Sequence, residues 1–172
     1  MKVFFIALFI WSYSLGMAQT DNSKIVAIRK TVEQINHTKG YTIKTLEGEQ
    51  FLQQTTDRGG TLTGYFKNGV LVKIVESIGL SSCIILTEYY FQKESLVFAY
   101  TQGKEFKYVD SLAGFDRNIP ELKMECRYYF YKEVLIQSIT SGFTRCSGDP
   151  VPKSVQISKD DSTRYAALLK EK

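Results

Sequence analysis

The chain predicts an α+β domain, with an N-terminal helix packed on a meandering antiparallel sheet of about six or more strands and a short C-terminal helix. Three observations carry that expectation. Apolar residues recur at helical spacing over residues 23 to 39, an aromatic-to-aliphatic segment occurs three times between residues 65 and 136, and residues 160 to 170 open on acids before an apolar run.

The helix rests on Ile25, Ile28, Val32 and Ile35, spaced three, four and three residues apart, which places them on one stripe. Arg29, Lys30, Glu33 and Gln34 fall on the opposite side. Ser23 is a candidate cap and Gly40 a candidate stop. Ahead of this helix lies a secretory leader pattern: Met1-Lys2, the apolar run Val3 to Trp11, then Gly16-Met17-Ala18 as a small-residue cut site. Nine apolar residues fall short of the roughly 20 that span a bilayer. Cleavage after Ala18 is expected, leaving Gln19 to Lys172, 154 residues, as one domain with no membrane span and a periplasmic or secreted location.

The repeated segment reads Tyr65-Phe66-Lys67-Asn68-Gly69-Val70-Leu71-Val72, then Tyr90-Phe91-Gln92-Lys93-Glu94-Ser95-Leu96-Val97, then Tyr129-Phe130-Tyr131-Lys132-Glu133-Val134-Leu135-Ile136. Asn-Gly takes positive φ readily and is a strong hairpin signal, so all three copies are expected to be β-hairpins. A regular register on Lys93-Glu94 sets Phe91 opposite Leu96, Tyr89 opposite Phe98 and Thr87 opposite Tyr100, all on an inner face. The same register gathers Cys126, Tyr128, Phe130, Leu135 and Ile139 in the third copy. Lys-Glu is a poor pair for a tight turn, so those two loops are expected to be longer. Ile84-Ile85-Leu86 reads as part of a central strand buried on both sides.

Between the second and third hairpins, residues 104 to 123 hold Gly114 and Pro120. A short strand at Glu105 to Tyr108 followed by a loop of about a dozen residues is expected, a length at which loops are often functional. Ser147 to Pro152 reads as a breaker, and residues 146 to 172 as a loosely packed tail containing the second helix.

The formal net charge is +4, or +3 after loss of Lys2, and bases alternate with acids, so nucleic acid is not an expected partner. His37, the sole histidine, sits at a predicted helix end. Nucleophile-elbow, phosphate-loop and paired-histidine zinc patterns are missing, and no cofactor or metal is expected. Among Asp57, Glu76, Glu88, Asp110 and Asp116, no spacing predicts convergence into a catalytic pair. Three cysteines allow one internal bridge at most, and Cys126 with Cys146, close in sequence around one hairpin, is the favoured pairing.

Gly60 to Phe66, Glu88 to Phe91 with Leu96 to Phe98, and Arg127 to Phe130 with Leu135-Ile136 together resemble uncharacterised small exported proteins of the Bacteroides and flavobacterial group. The resemblance implies export and carries no activity. Tyr65 to Leu71 also resembles MORN-type repeats, although the copies here start 25 and 39 residues apart rather than at one short period.

The expected function is an exported binding or interaction domain. Its partner would be a protein or glycan, meeting an outer sheet face of Tyr65, Tyr90 and Tyr129, with Asp110 and Asp116 contributing from the 104 to 123 stretch. Two other readings are an inhibitor or accessory subunit of an exported enzyme, and a hydrolase using acids of the 110 to 125 region.

Overall fold

The computed structural model describes residues 7–146 and 151–171, with side chains described for 21–146 and 154–171. Seven antiparallel strands cross one sheet in chain order: β1 Thr42–Glu47, β2 Gly60–Lys67, β3 Val70–Gly79, β4 Cys83–Gln92, β5 Ser95–Val109, β6 Gly114–Tyr131 and β7 Val134–Gly142. Helix α1, Ala7–His37, covers one face, and α3, Val151–Lys170, covers the other. A single turn of helix, α2, spans Gly48–Phe51.

α1 buries the predicted stripe, Ile25, Ile28 and Ile35, with Val32 packed beside it. It starts earlier than expected, and Ser23 lies inside it rather than capping it. The first six residues of the leader pattern lie outside the described residues. Among the described residues, no helix is long and apolar enough to cross a membrane. α3 is likewise longer than its predicted core at 160–170, and it packs: Tyr165 and Leu169 are buried against the sheet. Pro152 falls in its first turn, where the missing N–H costs nothing. Residues 147–150 of the expected breaker lie outside the described residues.

The three repeats fold as hairpins, and each closes in two residues. Asn68 and Gly69, Lys93 and Glu94, and Lys132 and Glu133 all have positive φ. That is the geometry matching strand twist, so the longer Lys-Glu loops expected from sequence are not found. Four non-glycine residues hold this conformation in the second and third turns, at a cost on the order of 1 kcal/mol each. The strands they join are long enough to impose it.

Each hairpin also carries an irregularity at one homologous place. The register shifts between Tyr65 and Phe66, between Tyr90 and Phe91, and between Tyr129 and Phe130. In every copy one residue of the returning strand is left over: Val72, Val97 and Ile136. This two-against-one bulge sends the extra residue and its successor to one face. The consequence is visible in the second copy, where Tyr89 pairs with Ala99 and Tyr90 with Phe98, not Tyr89 with Phe98 as a regular register requires. Thr87 faces Thr101 instead of Tyr100. Phe98 joins Tyr90, Tyr129 and the isoleucines under α1, and Val72, Val97 and Ile136 pack beside them. Tyr89, Phe91, Tyr128, Phe130 and Cys126 face α3. In the third copy Leu135 is exposed and Ile139 packs toward α1, so neither joins the inner set expected from sequence.

The stretch from 104 to 123 is hairpin rather than loop. β5 and β6 run on as a ladder to Val109 and Gly114, joined by a 3₁₀ turn at Asp110–Leu112. Pro120 cannot donate to a ladder, and residues 117 to 120 bulge out where Phe106 alone stands on β5. β4 is central, as expected, but Ile84, Ile85 and Leu86 are half-buried because neither helix fully covers them.

Candidate functional site at the open end of the sheet

The strands have two unlike ends. At one, three two-residue turns close the hairpins. At the other, β1 is joined to β2 by residues 48–59, the β5–β6 hairpin projects past its neighbours, and the chain leaves β7 to cross the sheet.

That crossing is built from Glu105. Its carboxylate accepts from the Thr144 hydroxyl at 2.9 Å, from the Arg145 backbone N–H at 2.9 Å and from the Arg145 guanidinium at 2.8 and 3.1 Å. These bonds hold its pKa below the ordinary carboxylate value, the Arg145 backbone N–H contributing most. Thr144 is buried over Gly103, where a β-carbon would meet its methyl group at 2.7 Å. Cys146 is thereby delivered to the start of β4, and the disulfide is Cys83–Cys146, not Cys126–Cys146. Cys126 sits mid-strand opposite Thr140, buried and free. Its closeness to Cys146 in sequence does not translate into closeness at the end of the sheet. A link across 63 residues stabilises by roughly 4 kcal/mol through loop closure.

Around this clamp the open end exposes large apolar side chains. Leu112 is 65% exposed, Ile119 76% and Phe143 71%, with Tyr108 and Leu122 about half exposed. They come from the projecting hairpin and from the segment after β7, whose Phe143 N–H donates to Lys123 O at 3.0 Å. Beside them the 48–59 segment forms one wall of a groove of about 980 Å³, lined by Gln50, Gln53, Thr55, Thr56, Arg58 and Ser77 among others. α2 anchors that wall: Phe51 is buried, and Glu47 and Gln50 cap each other's backbone. Gly79 permits the close approach, since a β-carbon there would lie 2.6 Å from Arg58 Cβ.

On the other side of residues 52–56 lies a second cleft, of about 540 Å³, between that segment and α3. Its inner end is Glu76, on β3. Glu76 is 5% exposed and faces α3, with Tyr89 donating to Oε2 at 3.1 Å and Tyr165 donating to Oε1. Burial raises its pKa to about 7, and Asp161 adds to the rise, while hydrogen bonds from Tyr165 and Tyr89 and the charge of Arg164 oppose it. Arg164 pairs with Asp161 at 2.8 Å and donates to Phe51 O at 2.6 Å, tying α3 to α2. The cleft therefore ends on a buried carboxyl whose pKa is raised toward neutrality. Glu76 was among the acids considered from sequence. Tyr165, Arg164 and Asp161 were not, and their signal was weak, since α3 is amphipathic and its docking face is not marked in the chain.

The structure disperses the other predicted site residues. Tyr90 and Tyr129 are 1% and 3% exposed, covered by α1, and so present no ring surface to a partner while α1 is in place. The Tyr90 hydroxyl contacts Glu88 and lies 3.0 Å from Asn36 Oδ1, and Lys73 bridges the same two groups at 3.2 and 3.0 Å. Arg29 donates to the Tyr129 hydroxyl at 3.3 Å. Tyr65 is half-buried, edge-on to Tyr41 at 5.9 Å. Asp110 opens the 3₁₀ turn at the hairpin tip, and Asp116 pairs across from Lys107 while accepting the Asn118 N–H at 3.0 Å. Thr101 is level with Glu76 through Thr87, so Asp110, nine residues further along β5, lies about 30 Å away along the strand direction. Neither aspartate lines the Glu76 cleft.

Comparison with protein-family models, with curated proteins and with solved structures returned no match.

Proposed function

We propose that the chain is an exported interaction domain that meets a protein partner through the open end of its sheet. The observation that carries this reading is the group of exposed apolar side chains, Tyr108, Leu112, Ile119, Leu122 and Phe143, on a projecting hairpin and the segment clamped behind it. Exposed apolar groups concentrated on a rigid projection mark contact sites, because a partner that covers them gains the burial the monomer forgoes. Each sheet face carries a helix over part of its surface, so the ends and edges are the least covered surfaces. Export is supported by the leader pattern and by the Cys83–Cys146 bridge, which suits an oxidising compartment. A hairpin that projects beyond its sheet also suits an inhibitor or accessory subunit entering a cleft of an exported enzyme. The neighbouring groove favours a second reading, a glycan ligand, because amide and hydroxyl side chains supply the paired donors and acceptors that sugar hydroxyls need.

The test is site-specific photocrosslinking in the native host, with the crosslinking residue at position 119 or at position 68 on the opposite end. The expected result is a discrete adduct with one protein from position 119, lost on Phe143→Asp, and none from position 68. Equal labelling from both positions, or none from 119, contradicts the proposal.

A further inference from the structure

We propose that β7 is a self-pairing edge, through which two copies of this chain join their sheets antiparallel about a two-fold axis at Ser138. The two edges of the sheet differ. β1 is six residues long and carries Lys44, whose ammonium reaches back to Leu168 O at 3.4 Å and to Glu171 O, so a charge and the end of α3 guard that side. β7 pairs with β6 alone and reads Val-Leu-Ile-Gln-Ser-Ile-Thr-Ser-Gly, nine residues without a charge or a proline. About half of its backbone N–H and C=O groups face outward, and among the described residues nothing of the kind that normally blunts an edge lies against it.

The choice of a second copy over a foreign strand rests on self-complementarity. Pairing about Ser138 sets Ser138 against its own symmetry mate, Ile136 against Thr140 and Val134 against Gly142. No like charges meet along these nine residues. Gln137 Oε1 is the one buried side-chain oxygen or nitrogen without a hydrogen-bond partner among the described residues. In this register the two Gln137 residues are diagonal neighbours on one face, and a rotamer change that turns each amide from its buried position toward the seam lets it donate to the other's oxygen. Exposed Val134 and Leu135 at the start of one β7 come beside Gly142 and exposed Phe143 at the end of the other. The seam leaves both α1 helices on the same face and points the two open ends in opposite directions, so the projecting hairpins stay free and only Phe143 of the apolar group lies at the seam.

The test uses the mature, oxidised protein. Sedimentation should give twice the chain mass, and Ser138→Lys, which sets two ammonium groups side by side, should weaken dimerisation at least tenfold while leaving the circular dichroism spectrum unchanged. Ser138→Cys should form a covalent dimer on mild oxidation, whereas Thr42→Cys on the other edge should not. A monomer at every concentration, or a dimer indifferent to Ser138→Lys with no crosslink at Ser138→Cys, overturns the inference.

Discussion

The two ends of this sheet solve the same problem, reversing the chain, by opposite means. At the closed end three turns of two residues each do it, all in the left-handed region, and the aromatic pair before each turn is followed by a bulge at the same step. At the open end only the β3–β4 reversal, residues 80–82, is comparably short, and the rest take a twelve-residue segment with its own turn of helix, a 3₁₀ turn on an overlong hairpin, and a crossover pinned by Glu105 and a disulfide. The comparison teaches where function can sit. Short turns present few residues of their own, and the exposed apolar side chains beside them, Val70, Tyr131, Val134 and Leu135, belong to the strands, while long connections can carry clefts as well as exposed apolar groups.

The largest expected effect concerns the buried acid on the open side. With its folded pKa near 7 and an unfolded value near 4.5, Glu76 keeps its proton in the folded state over a range where the unfolded chain has lost it. Its contribution to stability is therefore full below about pH 4.5 and falls as pH rises through 7, by about 3 kcal/mol in all. Glu76→Gln should remove this decline, leaving the variant as stable at pH 8 as at pH 5 in its dependence on this group. Urea midpoints across that range measure it, and an unchanged slope in the variant breaks the assignment.

A smaller effect is expected at the closed end. Replacing Lys132-Glu133 by Asn-Gly, as the first turn already has, relieves positive φ at two positions and should stabilise by about 1 kcal/mol. It should not alter the pH profile, because nothing at that turn bonds to Glu76. A loss of stability there would mean that the Lys-Glu turns do more than reverse the chain.

Much of this frame was legible in the sequence, and its blind spots have physical causes. The isoleucine stripe and the three hairpins were readable because periodicity and Asn-Gly are local signals. The faces were not: a single bulge residue, Val97, reverses the parity of everything after it, and no local propensity distinguishes a bulged Val from a paired one. Tyr90 and Tyr129 precede the bulges and read as an outer face for a different reason: a helix covers each side of the sheet, and they are the floor beneath α1. Cysteine pairing failed similarly, because the hairpin logic linking Cys126 to Cys146 could not anticipate that Glu105 would pull residues 144–146 across Gly103. Pro120 suggested a loop, but a strand accommodates it by bulging four residues. Of the site, Glu76 was visible only as one acid among five whose spacing predicts no convergence. Its partners on α3 depend on how that helix docks, which is a tertiary fact.

Tyr90 and Tyr129 are interior, and the projecting hairpin of the open end is accessible. Brief iodination of the folded protein, read residue by residue by mass spectrometry, separates the two. Tyr108, 52% exposed on the projecting hairpin, should label readily while Tyr90 and Tyr129 stay unmodified until the protein unfolds. Labelling of Tyr90 or Tyr129 in the folded protein as fast as Tyr108 would contradict it, and would return the tyrosine face to the surface.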